Sequence, residues 1–141
     1  MLVRHASAGR RERWSDDDRL RSLDERGRKQ AYGLVGALVP FSVNRVCSSP
    51  YVRCVQTVEP LAAALRVEVE EREELAEGAS RDAVLGLLRS LEGATPALCT
   101  HGDIVEHLLG PELALEKGAA RILERTGSAV VPGQYIPAPE V

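Results

Sequence analysis

Arg45-Val46-Cys47-Ser48-Ser49-Pro50-Tyr51-Val52-Arg53 runs from a short apolar strand straight into a helix start, and the rest of the chain repeats that pattern. Arg45 to Ser48 reads as a strand. Ser49 supplies an N-cap and Pro50 the first helical position, so a helix opens at Tyr51. Pro60 kinks or splits it before Leu61 to Leu65. Upstream, Leu2-Val3 is a first strand that leads directly into Arg4-His5, and Ala6 to Arg21 is a polar loop. Asp24 caps a helix whose apolar residues Ala31, Leu34, Val35, Leu38 and Val39 recur at helical spacing, and Pro40 ends it.

Downstream, Val67 to Glu70 alternates as an exposed strand does, and a loop follows through Gly78. Ser80 caps a helix carrying Val84, Leu87, Leu88 and Leu91. Ala97 to Thr100 is a central strand, and His101-Gly102 turns into another helix. There Asp103 and Glu106 have the spacing of a capping box, and Gly110-Pro111 stops the helix. Ala120 to Leu123 and Ala129 to Ile136 form a hairpin around Thr126-Gly127-Ser128, and the tail from Pro137 is frayed. Strands alternating with helices predict an α/β fold of three layers, a central, mainly parallel sheet with helices on both faces. No internal repeat or low-complexity segment divides the chain, so residues 1–141 are expected to form one domain.

A net charge of -3 argues against nucleic acid as a partner. No apolar run approaches the roughly 20 residues that span a bilayer, so no membrane partner is expected. Met1 to His5 shows no basic region followed by an apolar stretch, and the expected location is the cytoplasm. Cys47, Cys54 and Cys99 have no metal-ligand spacing and read as buried small hydrophobes, with a Cys47–Cys54 disulfide as the alternative. Only Lys29 and Lys117 among the 18 basic residues are lysine. The chain is therefore rich in the side chain that grips phosphate bidentately.

Three segments carry chemistry, and each stands where a strand ends: Leu2 to Ala6, Ser48 to Arg53, and Cys99 to Asp103. Ligands of open α/β sheets bind outside the carboxyl ends of the strands. The layout therefore brings His5, His101, Arg4 and Arg53 toward one crevice, with helix N-termini facing the same anion. Such a field keeps a nearby imidazole neutral, as a nucleophile must be. Phosphoryl transfer then needs positioning and charge stabilisation, which two arginines and a second histidine supply without a metal or other cofactor.

Leu2-Val3-Arg4-His5 resembles the opening motif of the histidine phosphatase superfamily, the phosphoglycerate mutase-like group. Ser48-Ser49-Pro50-x-x-Arg53-x-x-Gln56-Thr57 is similar to its second motif, and Thr100-His101-Gly102 to the segment bearing its second histidine. Arg21-x-Leu23-x-x-x-Gly27-x-x-Gln30-Ala31 resembles a stretch of the short, SixA-like branch. The resemblance implies a metal-independent phosphatase acting through a phosphohistidine. His5 becomes phosphorylated, Arg4 and Arg53 bind phosphate, and His101 hydrogen-bonds the transferring group. Ser7 falls in the phosphate loop as a substrate-binding candidate.

Glu77, in Leu75-Ala76-Glu77-Gly78, matches the position of a general acid in larger members. Its alternative is one more charge in an acidic stretch that begins at Glu68. The family nucleophile is usually followed by glycine, and here by Ala6, whose backbone is less free. The implied substrate is a small phosphorylated molecule, a nucleotide or a protein phosphohistidine, bound by a monomer or weak homodimer. Mutase activity is not expected, because the insertions that hold a phosphoglycerate have no room. Some actinobacterial relatives carry a Nudix domain in front of such a module, so a Nudix-type partner is implied. A degenerate domain that binds phosphorylated ligands without turnover is the competing reading.

The remaining polar residues have plainer readings. His107 belongs to a helix face or an ion pair, and Asp103 is a cap, with a contact to His101 as the alternative. Asp16-Asp17-Asp18 reads as a solvated run, too poor in other ligands for a metal site. Trp14 packs the loop over the pocket or contacts substrate.

Overall fold

A computed structural model of the chain describes residues 1–126 and 129–141. The elements in chain order are β1 (Leu2–Arg4), α1 (Glu25–Leu38), β2 (Arg45–Ser48), α2 (Val52–Leu65), β3 (Val69–Glu71), α3 (Arg81–Ser90), β4 (Pro96–Thr100), α4 (Gly102–Leu109), β5 (Ala120–Thr126) and β6 (Ala129–Ile136). The six strands form one sheet in the order β3-β2-β4-β1-β5-β6. The pairs β3–β2, β2–β4 and β4–β1 are parallel, whereas β1–β5 and β5–β6 are antiparallel. The expected α/β fold, mainly parallel with helices on both faces, is the one observed. Gly127 and Ser128 of the expected turn lie outside the described residues.

Alternation along the central strands builds two cores. Val3, Val46, Ala97 and Cys99 turn toward α1 and α2, where they meet Leu34, Leu38, Val58 and Leu61. Leu2, Cys47 and Leu98 turn the other way, against Leu87, Ile104, Val105 and Leu108 of α3 and α4. Strands buried on both faces read as continuous apolar runs, as these do. Each fully buried aliphatic side chain contributes about 1.5–3 kcal/mol, so the central strands are held far more firmly than the loops that follow them. The cysteines are free and buried. Among the described residues no helix is long and apolar enough to cross a membrane.

Asp24 and Ser80 cap α1 and α3 as expected, accepting from the Gly27 and Ala83 amides at 2.8 and 3.1 Å. Several local expectations give way to tertiary contacts. The α2 N-cap is Tyr51, and the Ser49 hydroxyl meets both the Tyr51 amide and a histidine. α2 runs unbroken through Pro60, since Val58, Leu61 and Ala62 are anchored in the core on both sides of the lost N–H. β3 starts at Val69, because Arg66 closes α2 in the left-handed region and the Val67 amide bonds back to Ala62. Asp103 and Glu106 form no capping box. One Asp103 oxygen instead takes the Gly78 amide at 2.8 Å. The tail is docked: Ala138 packs on the α3–α4 core, and Pro139 lies so close to Gly33 that a β-carbon there would come within 2.6 Å.

The loop from Ala6 to Arg21 is more ordered than its composition suggests. It contains helical turns at Arg11–Arg13 and Asp18–Leu20, and Ala8 pairs with Leu23. Gly27 presses against it, and an added β-carbon would lie 1.9 Å from the Ser7 carbonyl oxygen. Gly27→Ala is therefore expected to cost about 1–3 kcal/mol as overpacking. A denaturation midpoint equal to that of the parent would show that the loop yields freely.

Candidate active site

The strand order places the three motifs side by side. β1 and β2 flank β4, so the His5 amide donates to the Thr100 carbonyl at 3.0 Å and the Ser49 amide to the Cys99 carbonyl at 2.9 Å. The rings of His5 and His101 meet edge to face, 5.4 Å between centroids. Both are buried. The His5 Nδ1 lies 2.9 Å from the Ala6 carbonyl oxygen. A carbonyl only accepts, so Nδ1 carries the hydrogen and Nε2 keeps its lone pair. Burial drives the His5 pKa down to about 3, with His101, Arg53 and Arg4 adding to the effect against the raising influence of the Ala6 carbonyl. At neutral pH the imidazole is uncharged.

Ala6 needs no unusual backbone, because among the described residues Ser42 and Arg66 are the positive-φ residues other than glycine. Its methyl group fills a small cluster with Ala8, Leu23 and Ala31. Its amide donates to the Thr57 hydroxyl at 2.9 Å, and that hydroxyl donates to the Arg53 carbonyl at 2.7 Å. The loop after His5 is thereby tied to α2.

Arg4 lies over the start of α4, where a β-carbon on Gly102 would stand 3.2 Å from its Cζ. Its Nη1 donates to the Leu115 carbonyl at 2.8 Å. Arg53 is fully buried and stacks 4.9 Å from the Tyr51 ring centroid. It donates to the backbone and carboxylate of Asp18 at 2.8 and 3.0 Å and approaches Glu77 at 3.4 Å. The Nε of Arg4 and the Nε of Arg53 are buried with no protein acceptor. An unpaired buried donor costs about 1–3 kcal/mol, so both are poised for an anion. His101 Nε2 stands 2.9 Å from the Ser49 hydroxyl, which also accepts from the Tyr51 amide at 3.2 Å.

Arg4, His5, Arg53, Glu77 and His101 line one cavity of about 610 Å³. Glu77 reaches it because the Leu75 carbonyl is held by the Thr100 hydroxyl at 2.6 Å and the Gly78 amide by Asp103. Its carboxylate takes a 2.9 Å bond from Arg11. Ser7 is placed apart from this group. Its hydroxyl donates to Asp24 at 2.7 Å and its amide to Gln30 at 2.9 Å, which fastens the loop to α1.

Residues that the sequence left in plainer roles complete the site. Asp18, read as part of a solvated run, is the partner of Arg53, Arg21 and Arg11. Trp14 donates to the Asp17 carbonyl at 2.8 Å and packs the loop against itself. Gln30 and Thr57 buttress the loop, and their place inside matched motifs was the available signal. Among the described residues no group of three or more His, Cys, Asp or Glu side chains could hold a metal ion.

Comparison with known proteins agrees with this arrangement. The model of the histidine phosphatase superfamily, branch 1, matches residues 1–83. The 8-oxo-(d)GTP phosphatase of Mycolicibacterium smegmatis (strain ATCC 700084 / mc(2)155) is 35% identical over 155 residues, which take in 99% of this chain and 48% of that protein. The chain thus spans about half the length of that relative. The fold is shared with the protein histidine phosphatase SixA complexed with tungstate, at a TM-score of 0.78, 21% identity and coverage of 96% and 94%. It is shared also with a phosphoserine phosphatase from Entamoeba histolytica in complex with 3-phosphoglyceric acid, at 0.74, 15%, 97% and 95%. His101 lies beyond the matched stretch and enters the cavity through β4. On the family match and the identity to the Mycolicibacterium smegmatis relative, the chain belongs to the histidine phosphatase superfamily.

Proposed function

We propose that this chain hydrolyses a phosphorylated small molecule or a protein phosphohistidine through a phosphohistidine on His5. The observation that carries the reading is the state of His5. Its Nδ1 hydrogen is committed to Ala6, and its Nε2 lone pair is free in a cavity lined by Arg4 and Arg53. In the first step Nε2 forms a bond to phosphorus as the bond to the leaving oxygen breaks. The leaving group departs with its electron pair and takes a proton where its basicity demands one. In the second step water attacks, the P–N bond breaks, orthophosphate leaves, and Nε2 recovers its lone pair. The Nε donors of Arg4 and Arg53 and the amide end of α4 stabilise the equatorial oxygens. A nucleotide substrate draws support from the relative's activity on 8-oxo-(d)GTP.

Brief incubation with phosphoramidate in EDTA is expected to label the protein with an acid-labile, base-stable phosphate on His5. His5→Ala should abolish the label, and vanadate should compete with it. Label that survives the substitution removes His5 from the mechanism. A parent protein that takes no label but binds phosphate is the degenerate domain instead.

A further inference from the structure

Six basic side chains and four carboxylates line the cavity, in a chain whose net charge is -3. The local excess of positive charge is therefore built against the overall composition. Arg11, Arg21 and Arg53 are neutralised at the cavity by Asp18 and Glu77. Arg4 and Arg53 each offer one unpaired Nε to a phosphoryl group on His5. Two cations remain. Arg10 enters from the loop after β1 and Lys117 from the loop before β5, and neither side chain makes a hydrogen bond or ion pair among the described residues. Lys117 is one of only two lysines in the chain. Partial burial lowers its pKa most, and the fields of Arg4, Arg21 and Arg53 add to the effect against that of Asp24.

A cation placed among cations is unfavourable unless an anion joins them. The anion at His5 is already matched by Arg4 and Arg53. Resting on the phosphatase reading above, we propose that Lys117 and Arg10 form a second anion subsite. The substrate then carries a second phosphate linked to the one attacked, in a phosphoanhydride chain. Three further carboxylates line the cavity, Asp103 and Glu106 from α4 and Glu12 from the loop that carries Arg10, and none of them pairs with Arg10 or Lys117 among the described residues. A phosphohistidine peptide offers a single phosphoryl group and leaves Lys117 and Arg10 uncompensated. The chemistry of the leaving group agrees, because an anhydride releases a phosphate that needs little protonation, while Glu77 is held between two guanidiniums.

Two probes that resist hydrolysis test the subsite on the full chain by calorimetry at fixed ionic strength. Methylenediphosphonate is expected to bind at least tenfold tighter than methylphosphonate. The double variant Lys117→Met, Arg10→Met should reduce that preference to about threefold or less. Both side chains are exposed, and circular dichroism checks that the variant is folded. A preference unchanged in the double variant, or absent from the parent, overturns the subsite. His5→Ala should keep the preference while losing turnover, which separates failure of the catalytic reading from failure of this one. Turnover then identifies the source of the anhydride. A nucleoside triphosphate cleaved faster than inorganic tripolyphosphate assigns a nucleotide, and the reverse assigns inorganic polyphosphate. A phosphohistidine peptide cleaved faster than both overturns the proposal.

Discussion

Arg53→Lys is expected to lower kcat/KM about thirtyfold or more, a loss of roughly 2 kcal/mol in transition-state stabilisation. The substitution keeps the charge, so a merely electrostatic role would survive it. What it removes is the planar fork. In the native site Nη1 and Nη2 are held by Asp18 and Glu77, which leaves the buried Nε without a protein acceptor among the described residues. A lysine ammonium on a flexible stem cannot reproduce the fixed fork that meets these acceptors, and at a fully buried side chain water does not readily make up the difference. Steady-state kinetics on an aryl phosphate reads the effect, and thermal denaturation checks folding. Kinetics equal to the parent would show that Arg53 serves the scaffold and not the reaction.

Glu77→Gln is expected to act in proportion to the basicity of the leaving group. An alkoxide from a sugar phosphate needs a proton, whereas nitrophenolate needs little. If Glu77 supplies it, turnover of alkyl phosphates should fall by about a hundredfold, and activated aryl phosphates should change little in the phosphorylation step. Small and equal effects on both would reduce Glu77 to a tether for Arg11 and Arg53. They would also favour substrates whose leaving group departs unaided, in line with a phosphoanhydride.

The strand–turn–helix junctions were legible because their signals are local. Apolar runs bounded by Ser-Pro and His-Gly announce strands that end at helix starts, and Arg4, His5, Arg53 and His101 follow from those ends. The misread details share another cause. Ser49 is a good N-cap by composition, yet a histidine from 52 positions away shares its hydroxyl. Asp103 is spaced for a capping box, yet the amide of Gly78 reaches it first. Nothing in Asp16-Asp17-Asp18 tells which carboxylate turns inward, because that choice belongs to Arg21 and Arg53. Pro60 breaks helices in isolation and does not here, since burial on both flanks outweighs one missing hydrogen bond. Long-range partners decide such cases, and a single sequence carries no direct record of them.

β1 has only three residues, and it is clamped between β4 and β5, with Leu2 opposite both Leu98 and Arg121. That placement has a kinetic consequence. Closing loops of this length costs entropy before any central pairing rewards it, which puts the domain among the slower folders of its size. On the ribosome, His5 emerges well before His101 and waits for β4 before it has a second histidine to face. A nascent chain halted before β4 therefore holds His5 with no sheet to seat it. The meeting of the two histidines and the joining of β1 to the central sheet arrive in the same event.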